Sequence, residues 1–252
     1  MIALKRSSSC HYLLVSMVTA MLTVFSQAFA ALYSSGHADI GIAYENGGAG
    51  GFEPHWQLGS DAVVDGSPVG NHPDGAEFMP DEITVAVPFS QMIAMPNSPA
   101  LIAGTGVAAG DAIWFLPESE IADAPFLGIA TNKLDSAKWG NITFALGTVT
   151  SPSGNGNFSL WNSGPFGSPN FYFSTALGED TLILPTGTHA HFDWSFSEAG
   201  TWDVELTVSG THVDDGFQSV TETISFVVIP EPSSALVCAL STLVVMLRRR
   251  RV

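Results

Sequence analysis

The stretch from His189 to Ser209, HAHFDWSFSEAGTWDVELTVS, alternates along its length, and an alternating chain has few ways to fold. A strand sends successive side chains to opposite faces, so His189, His191, Asp193 and Ser195 share one side, and Ala190, Phe192, Trp194 and Phe196 the other. One face is apolar and the other is rich in ligand-type groups. After Ser197-Glu198-Ala199-Gly200 the pattern resumes, with Trp202, Val204, Leu206 and Val208 set against Thr201, Asp203, Glu205 and Thr207. Two alternating segments joined by a turn predict a β-hairpin.

The same arrangement recurs near the start of the body. In GHADIGIAY, residues 36–44, Ala38, Ile40, Ile42 and Tyr44 oppose His37, Asp39, Gly41 and Ala43. Further strand patterns lie at Ile83–Val87, Ala112–Leu116, Phe126–Ala130, Ile142–Val149, Phe171–Ser174, Thr181–Leu184 and Thr221–Val228. The glycine run 45–51 reads as a loop, 52–79 as turn-rich, and 92–110 as a loop of small residues and prolines. Residues 151–169 read as a long hairpin loop or a boundary between subdomains. No amphipathic helix exceeds two turns. With 16 Phe and 6 Trp to fill a core, and 25 Gly and 15 Pro to turn the chain, the expectation is all-β. The architecture that uses these elements is a mostly antiparallel β-sandwich, Ig-like or jelly-roll-like, forming a single domain with long loops over residues 31–229.

The two ends differ from this body. Residues 1–30 carry Lys5 and Arg6, an apolar run from Tyr12 to Phe25, and Ala28-Phe29-Ala30, the three parts of a secretory signal peptide cut before Ala31. At the other end, Pro230-Glu231-Pro232 precedes an apolar run of 15 residues, Ser233–Leu247, and then Arg248, Arg249, Arg250 and Arg251. An apolar segment closed by arginines acts as a stop-transfer element with its charged end in the cytoplasm. This run is short of the ~20 residues of a stable spanning helix, which suits a transient transmembrane anchor. Residues 230–252 resemble the PEP-CTERM sorting signal in all three parts and their order. The resemblance implies an exosortase-type protease as partner, transient inner-membrane anchoring, removal of the tail, and delivery to the cell surface or the extracellular matrix.

Between the ends, 23 acidic residues face only Lys133 and Lys138, a net charge of −21. Nucleic acid and anionic membrane surfaces would be repelled by such a body, whereas cations would be attracted. Both cysteines, Cys10 and Cys238, lie in the segments expected to be removed, so the exported form has no disulfide and depends on its core.

Two histidines at i and i+2 on a strand project together and can share a metal ion with a carboxylate or histidine from another strand. If the 36–44 strand lies beside the 189–196 strand, His37, Asp39, His189 and His191 converge, and a loop histidine, His55 or His72, could add a ligand. Solvated histidines are the plainer reading of the spacing alone. Catalytic motifs are missing: there is no Gly-x-Ser-x-Gly, no His-Glu-x-x-His and no cysteine nucleophile. Asp81-Glu82 and Asp214-Asp215 read as turn and surface residues, and Trp56, Trp139 and Trp161 as packing beneath loops rather than stacking on sugars.

The segment Gly187-Thr188-His189-Ala190-His191 with Trp194, Phe196, Gly200 and Trp202, together with Gly36-His37-Ala38-Asp39-Ile40, resembles the choice-of-anchor M domain of bacterial surface-anchored proteins. Ala199 and Trp202 stand where proline and tyrosine are usual there. The resemblance implies a secreted, surface-attached protein with a role connected to metal ions. The expectation is a non-enzymatic, exported surface protein that binds a divalent metal such as zinc. The alternatives are a metal-dependent hydrolase of extracellular polysaccharide using the same histidines, and a purely structural or adhesive matrix protein.

Overall fold

A computed structural model describes residues 30–45, 51–70, 76–164 and 167–231. All but the last residue of the leader read at 1–30 lies outside the described residues, as do the glycine run at 46–50, His72, Pro232, the apolar tail and the arginine block Arg248–Arg251. Among the described residues no helix is long and apolar enough to cross a membrane.

The alternating sequence becomes strand over most of its length. Strands β1 (Ala31–Glu45) and β2 (Gly51–Leu58) precede the short β3 (Val63–Val64), β4 (Ser67–Pro68) and β5 (Ala76–Phe78). Then come β6 (Ile83–Val87), β7 (Met92–Ala94), α1 (Pro99–Thr105), which is the single α-helix among the described residues, β8 (Ala112–Leu116) and β9 (Pro125–Ala130). The second half holds β10 (Ile142–Thr150), β11 (Phe158–Ser163), β12 (Pro169–Ser174), β13 (Glu179–Leu184), β14 (His189–His191), β15 (Asp193–Phe196), β16 (Gly200–His212) and β17 (Gly216–Val228).

Three ladders are present. The first runs β13–β10–β16–β17–β6–β1. The second runs β14–β9–β1–β2–β5, and the third β13–β12–β11–β15–β8–β7. β1 belongs to the first two, β13 to the first and third, and the chain passes from second to third through β14, Phe192 and β15, so the ladders close into a ring. The fold is all-β as expected, but its sheet is mixed: β1 pairs in parallel with β6 and β9, and β17 with β6.

Four local expectations are corrected. Residues 197–200 do not turn a hairpin, because β15 pairs with β11 and β8 while β16 pairs with β10 and β17. The chain changes ladders there, and Trp202 is anchored at the corner by its indole N–H donating to Glu198 O at 3.1 Å. The true hairpin is β16–β17, thirteen pairs long, with Asp214 and Asp215 in its turn. Residues 92–110 are not a plain loop but hold β7 and α1, the latter started by Ser98, whose Oγ accepts from Leu101 N. Residues 151–169 are not all loop, since they hold β11, which pairs antiparallel with β12, and the turn-rich 52–79 segment holds most of β2, an eight-residue strand.

One apolar core joins residues from Tyr33 to Val228. The predicted face of Phe192, Trp194, Phe196, Trp202 and Val204 is buried throughout, and Phe196 packs against both Trp202 and Phe226 at ring separations of 5.5 and 4.9 Å. Each such ring contributes about 1.5–3 kcal/mol by leaving water. The predicted polar face of the same strand is buried as well: Asp193 is 6% and Ser195 2% exposed. Ser195 lines a cavity together with Leu101 and Thr105 of α1.

Candidate metal centre

The second ladder positions the site. β9 is central, with β1 parallel on one side and β14 antiparallel on the other. The register sets Asp39, Gly128 and His191 in one row, with His37 opposite Phe126 and His189 opposite Ala130. The two predicted His-containing strands are therefore not neighbours, which corrects the adjacency assumed from sequence. Their side chains nevertheless meet, because the residue between Asp39 and His191 is a glycine. A Cβ at Gly128 would stand 2.2 Å from Asp39 Oδ1 and 3.0 Å from His191 Cε1. A glycine inside an apolar strand often marks such a close approach, so Gly128 within Phe126-Leu127-Gly128-Ile129-Ala130 was a readable signal.

His37, Asp39, His189 and His191 each offer one ligand atom, and these atoms lie within 4.8 Å of one another, so the group could hold a metal ion. His37 Nε2 is 3.4 Å from His189 Nε2 and 3.5 Å from Asp39 Oδ2, and His189 Nε2 is 3.1 Å from Asp39 Oδ1. In a tetrahedral site with metal–ligand bonds of about 2.0–2.1 Å, ligand atoms stand about 3.3 Å apart, close to these three separations. The Asp39 side chain is 6% exposed, whereas those of His37 and His189 are 32% and 40% exposed, so the carboxylate forms the floor and two imidazoles the rim. The His191 ring stacks on Phe126 at 3.6 Å and 4°, which fixes its plane without a hydrogen bond.

The electrostatics of the group suit a cation. Asp39 Oδ1 has no hydrogen bond in good geometry despite His189 nearby, and neither ring nitrogen of His191 has one. Burial pushes the Asp39 carboxyl above its usual range, while His37 and His189 pull it back. Burial first, then repulsion from His189 and His37, lowers His191 to about 4, with the Leu127 main chain opposing. His191 is thus a neutral imidazole at neutral pH, the form that ligates metals. A cleft of about 260 Å³ beside His37 and Asp39 is lined by Gln57, Glu77, Asn132 and Lys133, and Lys133 pairs with Glu77.

The remaining candidates lie elsewhere. His55 is not a loop residue: it sits on β2, 6% exposed, with Nε2 3.0 Å from Gln57 Nε2, and it is outside the four-residue group. Burial lowers its pKa. Pro54 disguised this strand, yet β5 pairs only with Trp56–Leu58, so the outer edge at Pro54 needs no N–H. Trp56 and Trp139 are 1% and 5% exposed and offer no sugar platform.

Asp193, on the ligand-type face, does not join the metal group. Its Oδ1 accepts from Glu118 N at 3.0 Å, and burial raises its pKa to about 6 from 3.8. The fold favours the protonated acid, so this contribution to stability is full below pH 3.8 and is lost as pH rises through 6. Asp193→Asn is expected to remove that slope and to raise stability at pH 7 by about 1–3 kcal/mol, with no gain at pH 3.5. Urea denaturation across this range, with chelator present, checks it; parallel wild-type and variant curves would refute it.

No protein-family model, no curated protein and no solved structure matches the chain.

Proposed function

We propose that this is an exported, surface-associated, non-enzymatic protein whose single domain, a β-sandwich over residues 31–229, binds one divalent ion of the zinc type through His37, Asp39, His189 and His191. The observation that carries this reading is the 3.4 Å approach of His37 to His189 over the buried Asp39 carboxylate, from strands 152 residues apart in sequence. Three nitrogens and one oxygen suit borderline ions such as zinc better than calcium or magnesium, which take oxygen ligands. The anionic body would draw cations toward the site. Export rests on the signal peptide of residues 1–30, and sorting by an exosortase-type protease rests on Pro230-Glu231-Pro232, the apolar run and Arg248–Arg251.

Two other readings receive less support. A purely structural or adhesive matrix protein has no reason to gather three histidines around a buried acid. A hydrolase of polysaccharide needs a free carboxylate beside the ion, and Glu77 in the adjoining cleft is held by Lys133. The test is metal analysis of the purified protein after equilibration with zinc, beside the double variant His189→Ala, His191→Ala. One ion per chain in the wild type and none in the variant is expected; equal and negligible metal in both would end the proposal.

A further inference from the structure

Thr131, the residue that follows β9, is fully buried and lies outside the four-residue metal group. We infer that Thr131 is the positioning residue for His189: it fixes the 185–188 turn, so that the ligand leaving that turn stands ready for the ion. The inference rests on the metal-binding reading given above.

Four main-chain groups of the turn bond to this one residue. The Thr131 hydroxyl donates to Pro185 O at 2.7 Å and accepts from Thr188 N at 3.1 Å. Its main-chain N–H donates to Thr188 O at 2.8 Å, and its carbonyl accepts from Gly187 N at 3.1 Å. The Thr188 hydroxyl closes the turn on itself by donating to Pro185 O at 2.6 Å, and the Thr186 hydroxyl donates to Gly140 O. A methyl in place of the buried Thr131 hydroxyl would leave Thr188 N unpaired and Pro185 O with one donor fewer, so the turn would have to shift to recover them.

His189 is the ligand most dependent on such a clamp. His37 is set by its main-chain bonds to Asp61 and Gly59, and His191 by its pairing with Gly128 and by the Phe126 ring. His189 is the one exposed residue of the four. Its ring meets the imidazoles of His37 and His191 edge-on, at 5.5 and 4.6 Å, and these are fellow ligands rather than fixed walls. Its ligand atom is therefore placed by its backbone, which continues directly from Thr188 and pairs with Ala130, the residue before Thr131. A shift of the turn would carry Nε2 away from Asp39 Oδ1, which stands 3.1 Å off.

The test measures zinc affinity of the purified full chain by titration against a competing chelator. Thr131→Val should weaken zinc about 10-fold, the lower end of what groups behind metal ligands contribute, and Thr131→Ser, which keeps the hydroxyl, should recover most of the loss. In a His189→Ala background the same Thr131→Val should have almost no further effect, because the ligand it places is gone. A second measurement needs no variant: in the zinc-free wild type the amide hydrogens of Thr131, Gly187 and Thr188 should exchange slowly with solvent. An equal loss with and without His189, or exchange of these amides at the rate of an open loop, would overturn the inference. Zinc held alike by the wild type and Thr131→Val would overturn it too while leaving the metal group standing, whereas no zinc in the wild type would overturn the metal-binding reading and this inference with it.

Discussion

Gly128→Ala is expected to abolish zinc binding and to cost about 1–3 kcal/mol of stability, although the residue offers no ligand and lies on a strand flanked by ordinary pairs. The new methyl would stand 2.2 Å from Asp39 Oδ1, and its other near neighbours, Ala190 O and His191 Cε1, are each at 3.0 Å. Main chain hems it in on one side, so the carboxylate has to move. Asp39 is the floor of the group, and displacing it breaks its short separations to His37 and His189 together. The strain and the lost ligand can be told apart. In the double variant Gly128→Ala, Asp39→Ala the overlap is gone, so most of the stability should return while zinc binding does not. Calorimetric titration with zinc, beside urea denaturation in chelator, reads both quantities. Wild-type zinc affinity in Gly128→Ala would show that the ligands do not assemble across this glycine.

What the sequence disclosed follows from which forces are local. Burial on one face writes a period of two into a strand, so Ala38, Ile40 and Ile42 and the row from Trp202 to Val208 were legible as core, and they are buried. The four ligand residues were legible because i and i+2 spacing fixes their side. Pairing partners are not written locally. The segment 197–200 carries Glu198, Ala199 and Gly200 as a hairpin turn would, yet the strands on either side join different ladders. Likewise nothing near His37 or His189 announces that β9 runs between them, in parallel with one and antiparallel to the other. The burial of Asp193 and Ser195 was not legible for a related reason. A polar residue on an alternating strand does not disclose what lies over it, and Ser195 shares a cavity with Leu101 and Thr105 of α1, brought from residues 99–105. Phe126 went unnoticed because an aromatic in an apolar run reads as core, whereas its ring supports a ligand imidazole.

The largest loss of stability from a single methyl is expected at Gly36, with Gly36→Ala costing about 3–4 kcal/mol. β1 leaves the first ladder for the second here: Ala31–Tyr33 run beside Ile83–Val85, and residues from Gly36 onward beside β9. The backbone turns through φ +82 at this residue, a left-handed conformation that costs an ordinary residue about 1–2 kcal/mol. Space adds a second term, since a Cβ would stand 2.4 Å from Asp61 O and 2.8 Å from Ala62 Cα, both main chain and both held by the Gly59–Ala62 turn. Gly66 separates the two effects: its φ is +74 and nothing lies within 4 Å of its Cβ position. Gly66→Ala should therefore lose only the conformational part, about 1–2 kcal/mol. Urea midpoints of the two variants give the comparison, and equal losses would mean that the contact with Asp61 does not set the crossing of β1. The consequence reaches the metal group through two hydrogen bonds. His37 N donates to Asp61 Oδ2 at 2.9 Å and His37 O accepts from Gly59 N at 2.9 Å, so the loop that crowds Gly36 also fixes the first ligand. Gly36→Ala should accordingly weaken zinc binding as well as the fold, because in Gly36-His37-Ala38-Asp39 the residue that lets the strand change ladders immediately precedes the residue that the change delivers to β9.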